Sequence, residues 1–94
     1  MHARETNEDA HSLALRALVW ILAEPERAMR LLDVTGLDPS DLRTRADDPA
    51  VLAATLAFLE AHEPDLVACA AALSVKPQAI VAARHGIDGG ESDA

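Results

Sequence analysis

Ninety-four residues make one small domain, and a net charge of −8 argues against a general nucleic-acid or anionic-membrane binder, whose affinity comes from Lys and Arg on phosphates. Half the chain is hydrophobic, but Ala and Leu supply most of it, and Trp20 and Phe58 are its only aromatics. Strand-forming β-branched and aromatic residues are sparse, so the composition predicts an all-α fold.

The acidity has a plain role in keeping a small, apolar-rich chain soluble. A single cysteine, Cys69, excludes an intramolecular disulfide. It lies in the apolar run 66–73 with no basic neighbour in sequence, which predicts a buried, inert thiol. The N-terminus lacks an apolar signal region, and no apolar stretch is long enough to span a bilayer. The expected location is the cytoplasm, with no membrane partner. Seven Arg to one Lys, with abundant Ala, suits a GC-rich bacterial genome.

Residues 1–6 read as a disordered polar leader, 7–87 as a single helical domain and 88–94 as a disordered tail. Thr6 or Asn7 can cap helix one, expected to run to about Ala23, with Glu8 and Asp9 at its positive end. Leu13, Ala14, Ala17, Leu18 and Ile21 line one side of it, and Leu15, Val19 and Leu22 an adjoining side. So wide an apolar surface means a helix central to the core or shared with a partner. Arg16 is its only mid-helix charge, and Trp20 lies one turn on, where a cation–π contact is expected. Arg16, Val19 and Trp20 are therefore the candidate interaction surface.

Glu24-Pro25 ends helix one and starts helix two, with Ala28, Leu31 and Leu32 inward and Glu26, Arg27, Arg30 and Asp33 solvated. Gly36 suits a left-handed position beyond that helix, with Leu37 folding back on Leu32 in a Schellman turn. Asp38 then caps a short third helix with Pro39 in its first turn. Arg43 and Arg45 on it sit among Asp38, Asp41, Asp47 and Asp48, and local ion pairing accounts for them better than an anion site. Asp48-Pro49 starts helix four, whose Val51, Leu52, Thr55, Leu56, Phe58 and Leu59 mark it as the central core helix. Glu63-Pro64 starts helix five, to about Leu73, and Lys76-Pro77 starts helix six, ending at a Gly86 cap.

The five prolines all mark helix starts. Pro25 and Pro64 are 39 residues apart, and Pro39 and Pro77 are 38 apart. The fold expected is a compact bundle of about six short helices arranged as two pseudo-repeated three-helix units, each long, medium and short; chance pairing of helix-start signals is the alternative.

No catalytic arrangement is visible. His2 and His11 are near the start, and His62 and His85 sit at helix C-termini, where the dipole explains them. There is no His-x-x-x-His or Cys-x-x-Cys spacing, no base beside Ser12, Ser40 or Ser74, and no Gly-rich phosphate loop. The expectation is a non-enzymatic protein with no metal and no cofactor.

Residues 66–85 also fit a helix-turn-helix outline: Ala70 is small at the crossing, Leu73, Val75 and Ile80 are apolar, and Lys76, Gln78, Arg84 and His85 are candidate nucleic-acid contacts. That helix otherwise offers Ala and Val to the groove, too few hydrogen-bonding side chains for sequence readout.

One further likeness rests on Gly36-Leu37-Asp38-Pro39-Ser40-Asp41-Leu42 through Asp48-Pro49, then Val51-Leu52-Ala53-Ala54-Thr55-Leu56-Ala57-Phe58-Leu59. With Ala17-Leu18-Val19-Trp20-Ile21-Leu22-Ala23 before Glu24-Pro25, these resemble a family of short, Ala- and Leu-rich alphaproteobacterial proteins catalogued as a domain of unknown function. The resemblance covers about residues 12–86 and implies an all-helical cytoplasmic bacterial protein, with no functional residue to carry over. The two functional expectations are a protein-interaction module or homodimer and, as the alternative, a small DNA-binding regulator.

Overall fold

The computed structural model describes the backbone of residues 2–93 and the side chains of residues 9–88. It is an all-α bundle of α1 (His2–Leu22), α2 (Pro25–Thr35), α3 (Pro39–Thr44), α4 (Pro49–Glu60), α5 (Glu63–Leu73) and α6 (Pro77–Asp93). The helical backbone reaches His2, so Thr6 and Asn7 lie within α1 rather than capping it. The expected leader and tail fall mainly on side chains outside the described residues.

Prolines open every helix after α1, as their fixed φ and missing donor allow. Asp38 caps α3 in a reciprocal box: Asp41 N donates to Asp38 Oδ1 at 3.0 Å, and Asp38 N donates to Asp41 Oδ2 at 3.1 Å. Asp48 Oδ1 accepts from Ala50 N at 2.8 Å at the start of α4. Between these caps, Arg45 lies 3.9 Å from Asp41 and 3.3 Å from Asp48, so its role is local pairing.

The expected Schellman turn does not form at Gly36. Gly36 has φ +76° and its N–H donates to Leu32 O at 2.9 Å, the single-bond left-handed cap. Leu37 N turns instead to Thr35 Oγ1 at 3.3 Å, so no Schellman pair closes there. The Schellman motif is at Ser74, φ +61°, where Val75 N donates to Ala70 O at 2.9 Å and Ser74 N to Ala71 O at 3.2 Å. Gly86 is no cap at all. The α6 helix passes through it, and a Cβ there would meet Ala10 Cβ of α1 at 3.7 Å.

Helix α4 is the centre of the core, with Val51, Leu52, Thr55, Leu56, Phe58 and Leu59 all buried. The buried hydroxyl of Thr55 donates to Val51 O at 2.8 Å, which satisfies it within the helix. Ala10, Ala14, Ala17, Leu18 and Ile21 of α1 face inward, and α1 and α4 both pack against α6, whose Ile80 and Ala83 are buried. The radius of gyration, 12.5 Å, is that of a packed chain of this length.

The packing partners of the first two helices in each proposed unit correspond. Helix α2 packs on α1 and α4, α5 packs on α4 and α1, and the left-handed residues Gly36 and Ser74 match. The pseudo-repeat fails at the third helix: α3 has 6 residues and α6 has 17. Gly86 does not stop α6, because it needs no left-handed turn where it meets Ala10.

Candidate interaction surface

On α1 the burial pattern separates the two apolar sides. The Ala14–Ile21 side is in the core, whereas Val19 is 68% exposed and Leu22 40%. Trp20 is half-buried between the two. Leu15, Arg16, Val19 and Trp20 of α1, with Ala72 and Leu73 of α5, line an open groove of about 430 Å³. The structure thus brings Arg16, Val19 and Trp20 together on one rim and floor.

The cation on Trp20 is not Arg16. The Arg27 guanidinium stacks over the indole, 3.7 Å from its centroid, and Arg27 Nη2 donates to Trp20 O at 2.7 Å. Only two residues separate α1 from α2, and Arg27 in the first turn of α2 lies over Trp20. Arg27 looked solvated in the sequence because it lies seven residues from Trp20, across Pro25, outside any single-helix spacing. Arg16 reaches across to α5 instead, donating from Nη2 to Leu73 O at 2.9 Å. That carbonyl is one of the orphans of the α5 C-terminus, where a cation also suits the dipole.

Helix α5 presents Pro64, Val67, Ala68, Ala71 and Ala72 outward, with Val67 49% exposed. No charged residue interrupts 66–75. Cys69 faces inward, fully buried, and desolvation pushes its thiol up to about 11 despite the Arg27 and Arg16 charges nearby. The structure therefore supplies the basic neighbours that the sequence lacked, and burial outweighs them.

The alternative contacts at α6 are differently placed. Lys76, Gln78 and His85 are exposed. Arg84 is engaged: its Nε and Nη2 fork onto the two carboxylate oxygens of Glu60, and Nη1 donates to Asp88 Oδ2 at 3.2 Å. These carboxylates hold the guanidinium firmly in its charged form, Glu60 most of all. No local pattern marks the Glu60–Arg84 pair, because 24 residues separate them. Helices α5 and α6 meet at 97° across the Ser74 turn.

Residues 7–90 match the family described as Protein of unknown function (DUF3572). The chain belongs to that family. The match to DUF3572 spans α1 from Asn7 onward, the whole of α2 to α5, and most of α6. No curated protein and no solved structure matches the chain. Among the described residues, no single helix is long and apolar enough to cross a membrane, and no three His, Cys, Asp or Glu side chains are grouped to hold a metal ion.

Proposed function

We propose that this DUF3572 chain is a non-enzymatic protein-interaction module of the bacterial cytoplasm, whose contact surface is the α1–α5 groove and the adjoining face of α5. The observation that carries this reading is Val19, 68% exposed beside half-buried Trp20 on an apolar groove. A surface valine beside a half-buried indole loses water favourably when a partner covers it. Arg16 supplies polar donors on the rim, because a guanidinium has five and one is spent on Leu73 O. The test is a photo-cross-linking amino acid at position 19 in host cells, with position 43 on α3 as the exposed control. A discrete adduct at 19 and none at 43 is the expected result. Equal or absent adducts at both positions would end the reading.

A second reading, DNA binding through α6, is favoured by one observation: the 97° elbow has the geometry of a helix-turn-helix. The ion pairing of Arg84 weighs against it and leaves Lys76 as the fixed cation of that face. It predicts a steep loss of duplex binding with salt, and absence of binding at low salt would remove it.

A further inference from the structure

We propose that the α1–α5 groove binds a small monocarboxylate with an apolar body, its carboxylate on Arg16 and its body along Val19, Trp20 and Ala72. The proposal goes beyond the interaction reading and does not depend on it. The groove, about 430 Å³, has the size of sites that take small ligands. Its lining has their composition too: apolar side chains with one charged group among them.

The argument for a carboxylate is how the arginines are paired. Among the described residues, Arg27 lies by Glu24, Arg30 by Asp65, Arg45 by Asp41 and Asp48, and Arg84 by Glu60 and Asp88. Arg16 and Arg43 have no carboxylate partner there, although the chain carries 16 acidic residues. Of those two, Arg16 is the one that lines the groove. Its Nη2 donates to Leu73 O at 2.9 Å, which holds the cation between α1 and α5. One donor is used there, and a guanidinium has others to offer. A planar guanidinium matches a carboxylate through two parallel hydrogen bonds. The whole chain, at −8, repels an anion more strongly the more charge it carries, so a monoanion is favoured over a phosphate dianion. An ion pair at an exposed arginine gains little by itself, so the ligand also needs an apolar body. That body covers Val19, which is 68% exposed, and the exposed part of Trp20. The Arg27 guanidinium, 3.7 Å from the indole centroid, holds Trp20 in place before any ligand arrives.

The experiment is a titration of the full chain with sodium decanoate, kept below its micelle-forming concentration. Decanol and decyltrimethylammonium serve as the uncharged and cationic counterparts. Trp20 is the only tryptophan, so its emission reports on the groove directly. Decanoate is expected to shift that emission to shorter wavelength along a saturable, single-site curve. Decanol and the cation are expected to bind at least about tenfold more weakly. Arg16→Gln is expected to weaken decanoate about tenfold and leave decanol unchanged. Because that variant also loses the contact to Leu73 O, circular dichroism establishes its fold, and Val19→Glu provides a second test. Val19→Glu, at an exposed position, offers Arg16 an internal carboxylate at i+3 spacing and is expected to abolish decanoate binding in a folded chain. No saturable shift with decanoate, equal binding of all three amphiphiles, or decanoate binding indifferent to both substitutions would overturn the proposal. The cross-link at position 19 tests the interaction reading separately: loss of the adduct leaves the decanoate curve as it is, and loss of the decanoate shift leaves the adduct as it is.

Discussion

At the scale of single residues, the left-handed positions are the sharpest feature of this chain. Ser74 holds φ +61° with a side chain that has to tolerate it, while Gly36 holds φ +76° at no steric cost. Ser74→Gly is therefore expected to raise stability by about 1 kcal/mol in urea unfolding followed by circular dichroism. Gly36→Ala is expected to lower it by about 1 kcal/mol, although nothing lies within 4 Å of the added methyl. Gly86 reverses the sign. Its Cβ would make ordinary contact with Ala10 inside a continuous helix, so Gly86→Ala is expected to gain about 1 kcal/mol. A loss at Gly86 would mean that the α1–α6 contact at Ala10 has no room for the added methyl.

Cys69 gives a pH signature at the same scale. The unfolded thiol ionises near 9.0, and the folded one holds its proton to about 11. Above pH 9 the unfolded chain sheds a proton that the folded chain keeps, so stability falls as pH rises through that interval. Cys69→Ala is expected to flatten this part of the urea-midpoint profile. In native protein at pH 8 a thiol reagent should label Cys69 slowly, and quickly once urea unfolds the chain.

At the scale of elements, the caps decide where helices begin, and their locations were legible because Asp before Pro is a local signal. The Asp41 N–H and the Ser40 hydroxyl, donating to the Asp38 carboxylate, hold its pKa below the ordinary carboxylate value. Its contribution is present at neutral pH and is lost as pH falls through that lowered value. Asp38→Ala is expected to lower the urea midpoint at pH 7 more than Asp38→Asn, since Asn still accepts the Asp41 N–H. In strong acid the wild type should lose its advantage over Asp38→Asn, while the gap between the two variants, which carry no ionisable group at position 38, should persist. What the elements did not reveal was their reach. The α6 helix runs past Gly86 because its packing partner, Ala10, lies 76 residues earlier in the chain, beyond any local rule.

At the scale of the whole molecule, stability rests on α4 enclosed by α1 and α6. Leu56 is fully buried, and Leu56→Ala is expected to cost about 3 kcal/mol, from lost burial and the cavity left behind. Val19→Ser, on an exposed position of α1, is expected to change monomer stability by less than about 0.5 kcal/mol. The same measurement on both variants separates the two apolar sides of α1. If Val19→Ser proved as costly as Leu56→Ala, Val19 would belong to the core and the candidate surface would be lost.

The sequence by itself determined the all-α class, the starts of α2 to α6, the core helix α4 and membership of a family of unknown function. These follow from helix propensity, apolar periodicity and capping chemistry, all of which act within a few residues along the chain. The tertiary structure decided which side of α1 faces solvent, which arginine covers Trp20, and that Arg84 is bound by Glu60 rather than free. The side chains concerned are brought together by the packing of α2 on α1 and of α6 on α1 and α4. Apolar residues on two sides of one helix look alike in sequence, and only the arrival of neighbouring helices makes one of them interior.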